Sequence, residues 1–133
     1  MSFATRPSDV RPKRLLNKLI LMVDDSPDNR VLVSLLLRRE GALIDEASNG
    51  QEGAAKALKN CYDLVLMDIQ MPGTDGYEAL DSLKKENFSK PVIALTAHAM
   101  IEERRRTLAA GFSDHVTKPI DQETLISTIL KYI

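Results

Sequence analysis

Two aspartates, Asp24 and Asp25, stand side by side where an apolar run ends in "LILMVDDSPDN" (residues 19–29). A third, Asp68, ends a second apolar run in "LVLMDIQMPG"; Thr96 ends another in "PVIALT", and Lys118 follows a short run in "HVTKP". Adjacent carboxylates repel each other and resist desolvation, so their place beside buried chain demands a compensating partner. Drawn together, three carboxylates would cost on the order of 4 kcal/mol for each pair at ~4 Å and an effective dielectric of ~20. Such a cluster either retains protons or holds a hard divalent cation. Mg²⁺ suits an oxygen-only donor set, because it takes one or two carboxylates together with waters and phosphate oxygens. The candidate site offers no Cys pair and no His pair, so zinc does not fit. A carboxylate beside Mg²⁺, flanked by a lysine and a hydroxyl, is equipped to accept a phosphoryl group. Asp68 would attack phosphorus and form an aspartyl phosphate, Lys118 and the metal would stabilise the phosphoryl oxygens, and Thr96 would hydrogen-bond the product.

That chemistry requires elements that bring the residues to one place. Five short runs read as strands: Leu19–Val23, Ala42–Ala47, Leu64–Met67, Pro91–Thr96 and Asp114–Thr117. The first, third and fourth are continuously apolar, as in strands covered on both faces of a parallel sheet. The second alternates more and reads as an edge. Between and after them, five segments read as helices: Pro27–Glu40, Gln51–Lys59, Tyr77–Glu86, Ile101–Ala110 and Gln122–Tyr132. Ser26 and Asp75 are natural N-caps, Pro27 suits a first helical position, and Gly41 and Gly111 are natural stops. Strict β-α alternation with short connections predicts an α/β fold: a doubly wound, five-stranded parallel sheet with five helices and right-handed crossovers.

Ligands of such sheets bind beyond the carboxyl ends of the strands, which is where Asp24, Asp25, Asp68, Thr96 and Lys118 all fall. Neighbouring strands are about 4.8 Å apart. Strand order 2-1-3-4-5 makes the first and third strands adjacent, so Asp68 meets the aspartate pair. Thr96 is then one strand away and Lys118 two, roughly 10 Å, a gap that a lysine stem can largely close. Order 3-2-1-4-5 scatters the cluster, so the polar pattern favours the first.

Taken together, "VDDS", "LMDIQMPGTDGYE", "ALTAHA" and "TKPI" resemble the receiver domain of two-component response regulators, over about Leu19 to Ile133. The resemblance implies the flavodoxin-like order 2-1-3-4-5 and phosphorylation at Asp68. It implies Mg²⁺ held by Asp24, Asp25, Asp68 and the main-chain carbonyl of Gln70, with Lys118 pairing the phosphoryl group. Thr96 becomes the switch hydroxyl, and His115 takes the position where such domains often carry a rotating aromatic. Gln70 and His98, two residues beyond Asp68 and Thr96, occupy positions that adjust phosphoryl lifetime. "DDSPDNRVLVSLLLRREG" and "PVIALTAHAM" are similar to receivers of hybrid histidine kinases and phosphorelays. The implied partner is a histidine kinase or a histidine phosphotransfer domain. The implied activity is a signalling switch that catalyses only its own phosphorylation and slow dephosphorylation. A phosphohydrolase built on Asp68 is disfavoured, since such enzymes need a second acid where Gln70 stands.

The remaining features set bounds. With 18 basic and 19 acidic residues, the formal net charge of −1 argues against direct binding to nucleic acid or membrane, although a parent kinase could itself be membrane-bound. The one cysteine, Cys61, permits no internal disulfide, and a reducing cytoplasm fits best. Residues 1–17, basic and with prolines at 7 and 12, read as a flexible arm or linker, leaving 18–133 as the receiver domain. In the first helix, Val31, Leu32, Val33, Leu35, Leu36 and Leu37 exceed the ~100° stripe that core packing needs. The excess reads as a docking patch for a four-helix phosphotransfer bundle.

Overall fold

The computed structural model describes residues 13–97 and 101–133. Strands and helices alternate as β1 (Leu19–Val23), α1 (Pro27–Arg38), β2 (Leu43–Ala47), α2 (Gly50–Lys59) and β3 (Leu64–Asp68), then α3 (Gly76–Lys85), β4 (Val92–Thr96), α4 (Ile101–Ala110), β5 (Asp114–Thr117) and α5 (Gln122–Leu130). The sheet is parallel throughout, in the order β2-β1-β3-β4-β5 that brings the polar residues together.

The period-2 geometry of a strand sends successive side chains to opposite faces, and here both faces are covered. Ile20, Met22, Leu64, Leu66, Ile93 and Leu95 pack with Val33 and Leu37 of α1 and Leu125, Ile126 and Ile129 of α5. Leu21, Val23, Val65 and Met67 pack on the other side with Ala54, Ala57, Ala79, Leu80 and Leu83 of α2 and α3. This explains why β1, β3 and β4 are continuously apolar while β2, an edge, is not. Ser26 Oγ accepts the Asn29 N–H at 3.3 Å and starts α1, with Pro27 inside its first turn. Asp75 and Glu78 form a reciprocal capping box at the start of α3. Three helices, α1, α3 and α5, stop earlier than their sequences predict because their last turns tighten. Glu40 donates to Leu37 and Gly41 to Arg38 after α1, Glu86 donates to Leu83 after α3, and Lys131 donates to Thr128 after α5.

The arm expected over residues 1–17 must be corrected at its inner end; residues 1–12 lie outside the described residues. Residues 14–17 form a turn fastened to the domain by Leu15, Arg14 and the main-chain bond from Asn17 to Gly41. Leu15 is fully buried in the layer of α1 and α5, and its N–H donates to the Glu40 carbonyl at 2.9 Å. Arg14 bridges the end of α1 to the start of α5, 3.0 Å from Glu40 and 3.1 Å from Glu123. Leu15→Ala should therefore lower the free energy of unfolding by about 2–5 kcal/mol, as for other buried leucines, measured by urea denaturation. A loss within error of zero would contradict this packing.

Candidate functional site

β1 and β3 are neighbours with Val23 in register with Met67, so the residue after each strand-end pair emerges at the same rim. Carboxylate oxygens of Asp24, Asp25 and Asp68 lie within 4.8 Å of one another. Asp24 and Asp68 are buried, and Asp25 is exposed at the mouth. Lys118, delivered from just beyond β5, crosses two strand spacings to place Nζ 3.3 Å from Asp24 Oδ2 and 3.3 Å from Asp68 Oδ2. Thr96 is buried at the end of β4, one residue past Leu95, the register partner of Asp68. Its carbonyl accepts the Lys118 N–H at 2.7 Å, tying the lysine's main chain to the same rim.

One ammonium faces three carboxylates, so the pocket stays electronegative. Burial, followed by repulsion from Asp24, pushes the Asp68 carboxyl up to about 6, although Lys118 and the Gln70 N–H favour its charged form. A buried, under-compensated group of acids whose donors are all oxygens fits a hard divalent cation such as Mg²⁺.

The two buried acids are held differently. Asp68 Oδ1 accepts the Gln70 N–H at 3.2 Å. Asp24 is restrained on every side: Oδ1 accepts the Ser26 N–H at 2.9 Å, Oδ2 accepts from Asn29 Nδ2 at 3.3 Å, and its N–H donates to Ala47 at 3.1 Å. Its carbonyl accepts Arg30 Nη1 at 2.7 Å. Reading the sequence singled out neither Asn29 nor Arg30. Their only signal is that they fall in the first turn after an acidic pair, where side chains can fold back over it.

Gly76 allows α3 to start directly against the end of β3. A Cβ there would stand 2.6 Å from the Asp68 carbonyl oxygen and 2.8 Å from the Ile69 Cα, both backbone atoms. Gly76→Ala should cost about 1–3 kcal/mol of stability through this overpacking, read from the thermal midpoint. An unshifted midpoint would contradict the close approach.

His115 lies on β5, half-buried and in register with Ala94. Its Nε2 is 3.3 Å from Thr117 Oγ1, so it belongs to the sheet beside the site rather than to the acid cluster. His98 lies outside the described residues. The apolar surplus of α1 divides: Val33, Leu36 and Leu37 are buried, whereas Val31, Leu32 and Leu35 are exposed. Among the described residues, no helix is long and apolar enough to cross a membrane.

Comparison with known proteins gives the same reading. The family model of the response regulator receiver domain matches residues 20–130. Sensor protein GacS of Pseudomonas syringae is 40% identical over 118 residues, which cover 85% of this chain and 13% of GacS. The chain thus spans a small part of that sensor's length. PilH of Pseudomonas aeruginosa is 39% identical over 112 residues, covering 83% of this chain and 93% of PilH. Among solved structures, the receiver domain of the sensor histidine kinase PA1611 from P. aeruginosa carries a magnesium ion coordinated in its active-site cleft. It superposes with a TM-score of 0.80 at 32% identity, over 87% of this chain and 97% of that one.

Proposed function

The chain belongs to the response regulator receiver domain family, and from that premise we propose that Asp68 takes a phosphoryl group from a phosphohistidine donor in a Mg²⁺-dependent reaction. As a receiver of two-component signalling it is a switch, and the only reactions we assign to it are its own phosphorylation and slow dephosphorylation. One observation carries the assignment. The Lys118 ammonium sits 3.3 Å from both buried acids, while the third acid completes a cluster that a divalent ion fits.

Asp24, Asp25, Asp68 and the Gln70 main-chain carbonyl would hold the Mg²⁺. When bound, the ion neutralises carboxylate charge and stabilises charge on the phosphoryl oxygens. An Asp68 oxygen attacks phosphorus, forming the O–P bond. The N–P bond of the donor breaks, and its electron pair stays on the imidazole nitrogen. Lys118, already between the two acids, pairs with the incoming phosphoryl oxygens. The Thr96 hydroxyl then turns toward the product and His115 adjusts to its movement, which shifts a pre-existing equilibrium between two conformers.

The signalling unit is residues 18–133, with 14–17 strapped to it. It acts in the cytoplasm, which the unpaired Cys61 suits. The donor is a histidine kinase or a histidine phosphotransfer domain, seated on the exposed Val31, Leu32 and Leu35 of α1. The test is transfer from purified, phosphorylated donors of these two kinds. Label should move to this chain with Mg²⁺ and remain on the donor in EDTA. Label that stays on every donor in Mg²⁺ would overturn the assignment.

A further inference from the structure

We infer that Arg30 is a positioning residue for the Mg²⁺ site, holding the main chain of Asp24 so that the Asp24–Asp25 pair faces Asp68. The inference rests on the Mg²⁺ reading above and extends it to a residue outside the acid cluster.

Arg30 leaves the first turns of α1 and folds back over the β1–α1 turn, with only 17% of its side chain exposed. Nη1 lies 2.7 Å from the Asp24 carbonyl oxygen, and Nε lies 3.1 Å from Glu46 Oε1. Glu46 is on the edge strand β2, in register with Met22, and also accepts from Ser34 Oγ at 3.5 Å. The next residue of β2, Ala47, accepts the Asp24 N–H. Both main-chain polar groups of Asp24 are thus tied toward the end of β2, one directly and one through the Arg30–Glu46 pair. A guanidinium suits this task because its planar fork offers separate donors to the carbonyl and the carboxylate; an ammonium is a single compact charge.

The sign of the effect separates positioning from simple charge. Arg30 is a cation near a cation site. If it acted only through space, removing it would tighten Mg²⁺ binding. If it orients Asp24, removing it weakens binding despite the loss of repulsion, by the 10–100-fold typical of groups that hold metal ligands from behind.

Calorimetric Mg²⁺ titration of the full chain tests this with Arg30→Met, Arg30→Lys, Glu46→Ala and the Arg30→Met/Glu46→Ala pair. Arg30→Met should weaken binding about 10–100-fold, with Arg30→Lys in between. Glu46→Ala should weaken binding several-fold in wild type and not further in Arg30→Met, because the two residues act as one device. Phosphorylation of Arg30→Met by acetyl phosphate should regain the wild-type rate at saturating Mg²⁺. Equal or tighter Mg²⁺ binding by Arg30→Met would overturn the inference while leaving the receiver reading intact. Fully additive losses in the double variant would overturn it too. Should Arg30→Met fail to fold by circular dichroism, Glu46→Ala on the edge strand decides alone, and unchanged affinity there counts against the clamp. Wild type that binds no Mg²⁺ would sink the metal site and the inference together.

Discussion

Asp68→Asn is expected to stay unphosphorylated under acetyl phosphate and Mg²⁺ conditions that bring wild type to one added phosphoryl group by intact mass. The amide lacks the nucleophilic charge, and among the described residues no other carboxylate has the same setting. Asp24 is fully buried with both oxygens already engaged, and Asp25 lies at the mouth without a described lysine contact. Loss of the attacking group should slow labelling by at least ~10³-fold. Labelling of Asp68→Asn at the wild-type rate would place the acceptor elsewhere and end the mechanism.

The second large effect is on stability and its dependence on pH and metal. Burial and Asp24 raise the Asp68 carboxyl from 3.8 to about 6 in the folded protein. For an acid raised on folding, the native state holds a proton that the unfolded chain has released. The favourable contribution is therefore complete below about 4 and declines as pH climbs to about 6, beyond which the ionised acid is a net cost. The change amounts to ~1–2 kcal/mol once solvent at the pocket mouth is allowed for. In EDTA, the urea midpoint of wild type should fall relative to that of Asp68→Asn across this window, leaving the variant the more stable near neutral pH. Saturating Mg²⁺ should narrow this gap, because it stabilises wild type more than the variant that binds the ion less tightly. An ion at a hundredfold excess over its dissociation constant adds ~2.7 kcal/mol to the protein that binds it. A wild type more stable than Asp68→Asn in EDTA near neutral pH would show that the acids are not under strain.

Much of the site was legible because polar residues interrupted apolar runs at strand ends. Asp24, Asp25, Asp68 and Thr96 each mark where a buried strand meets the rim, and of the orders 2-1-3-4-5 and 3-2-1-4-5 the first lets them converge. Lys118 was legible for the same reason, its long stem allowing a two-strand reach that the 3.3 Å contacts show. What was not legible depends on main-chain partners, which leave no pattern in side-chain types. Arg30 reads as an ordinary solvent-face residue of an amphipathic helix, yet its partner is the Asp24 carbonyl. Leu15 was hidden among prolines and basic residues, although burying a single leucine strapped residues 14–17 to the fold. In α1, six apolar residues exceeded one face, and periodicity alone could not say that Val31, Leu32 and Leu35 would be the exposed ones.

The central claim is that acids from separate strands form one magnesium-binding, phosphoryl-accepting pocket. Calorimetric Mg²⁺ titration of wild type beside Asp24→Asn, Asp25→Asn and Asp68→Asn tests it most directly. One ion per chain is expected in wild type, with binding at least about tenfold weaker in each variant. Wild-type affinity in all three variants would contradict it.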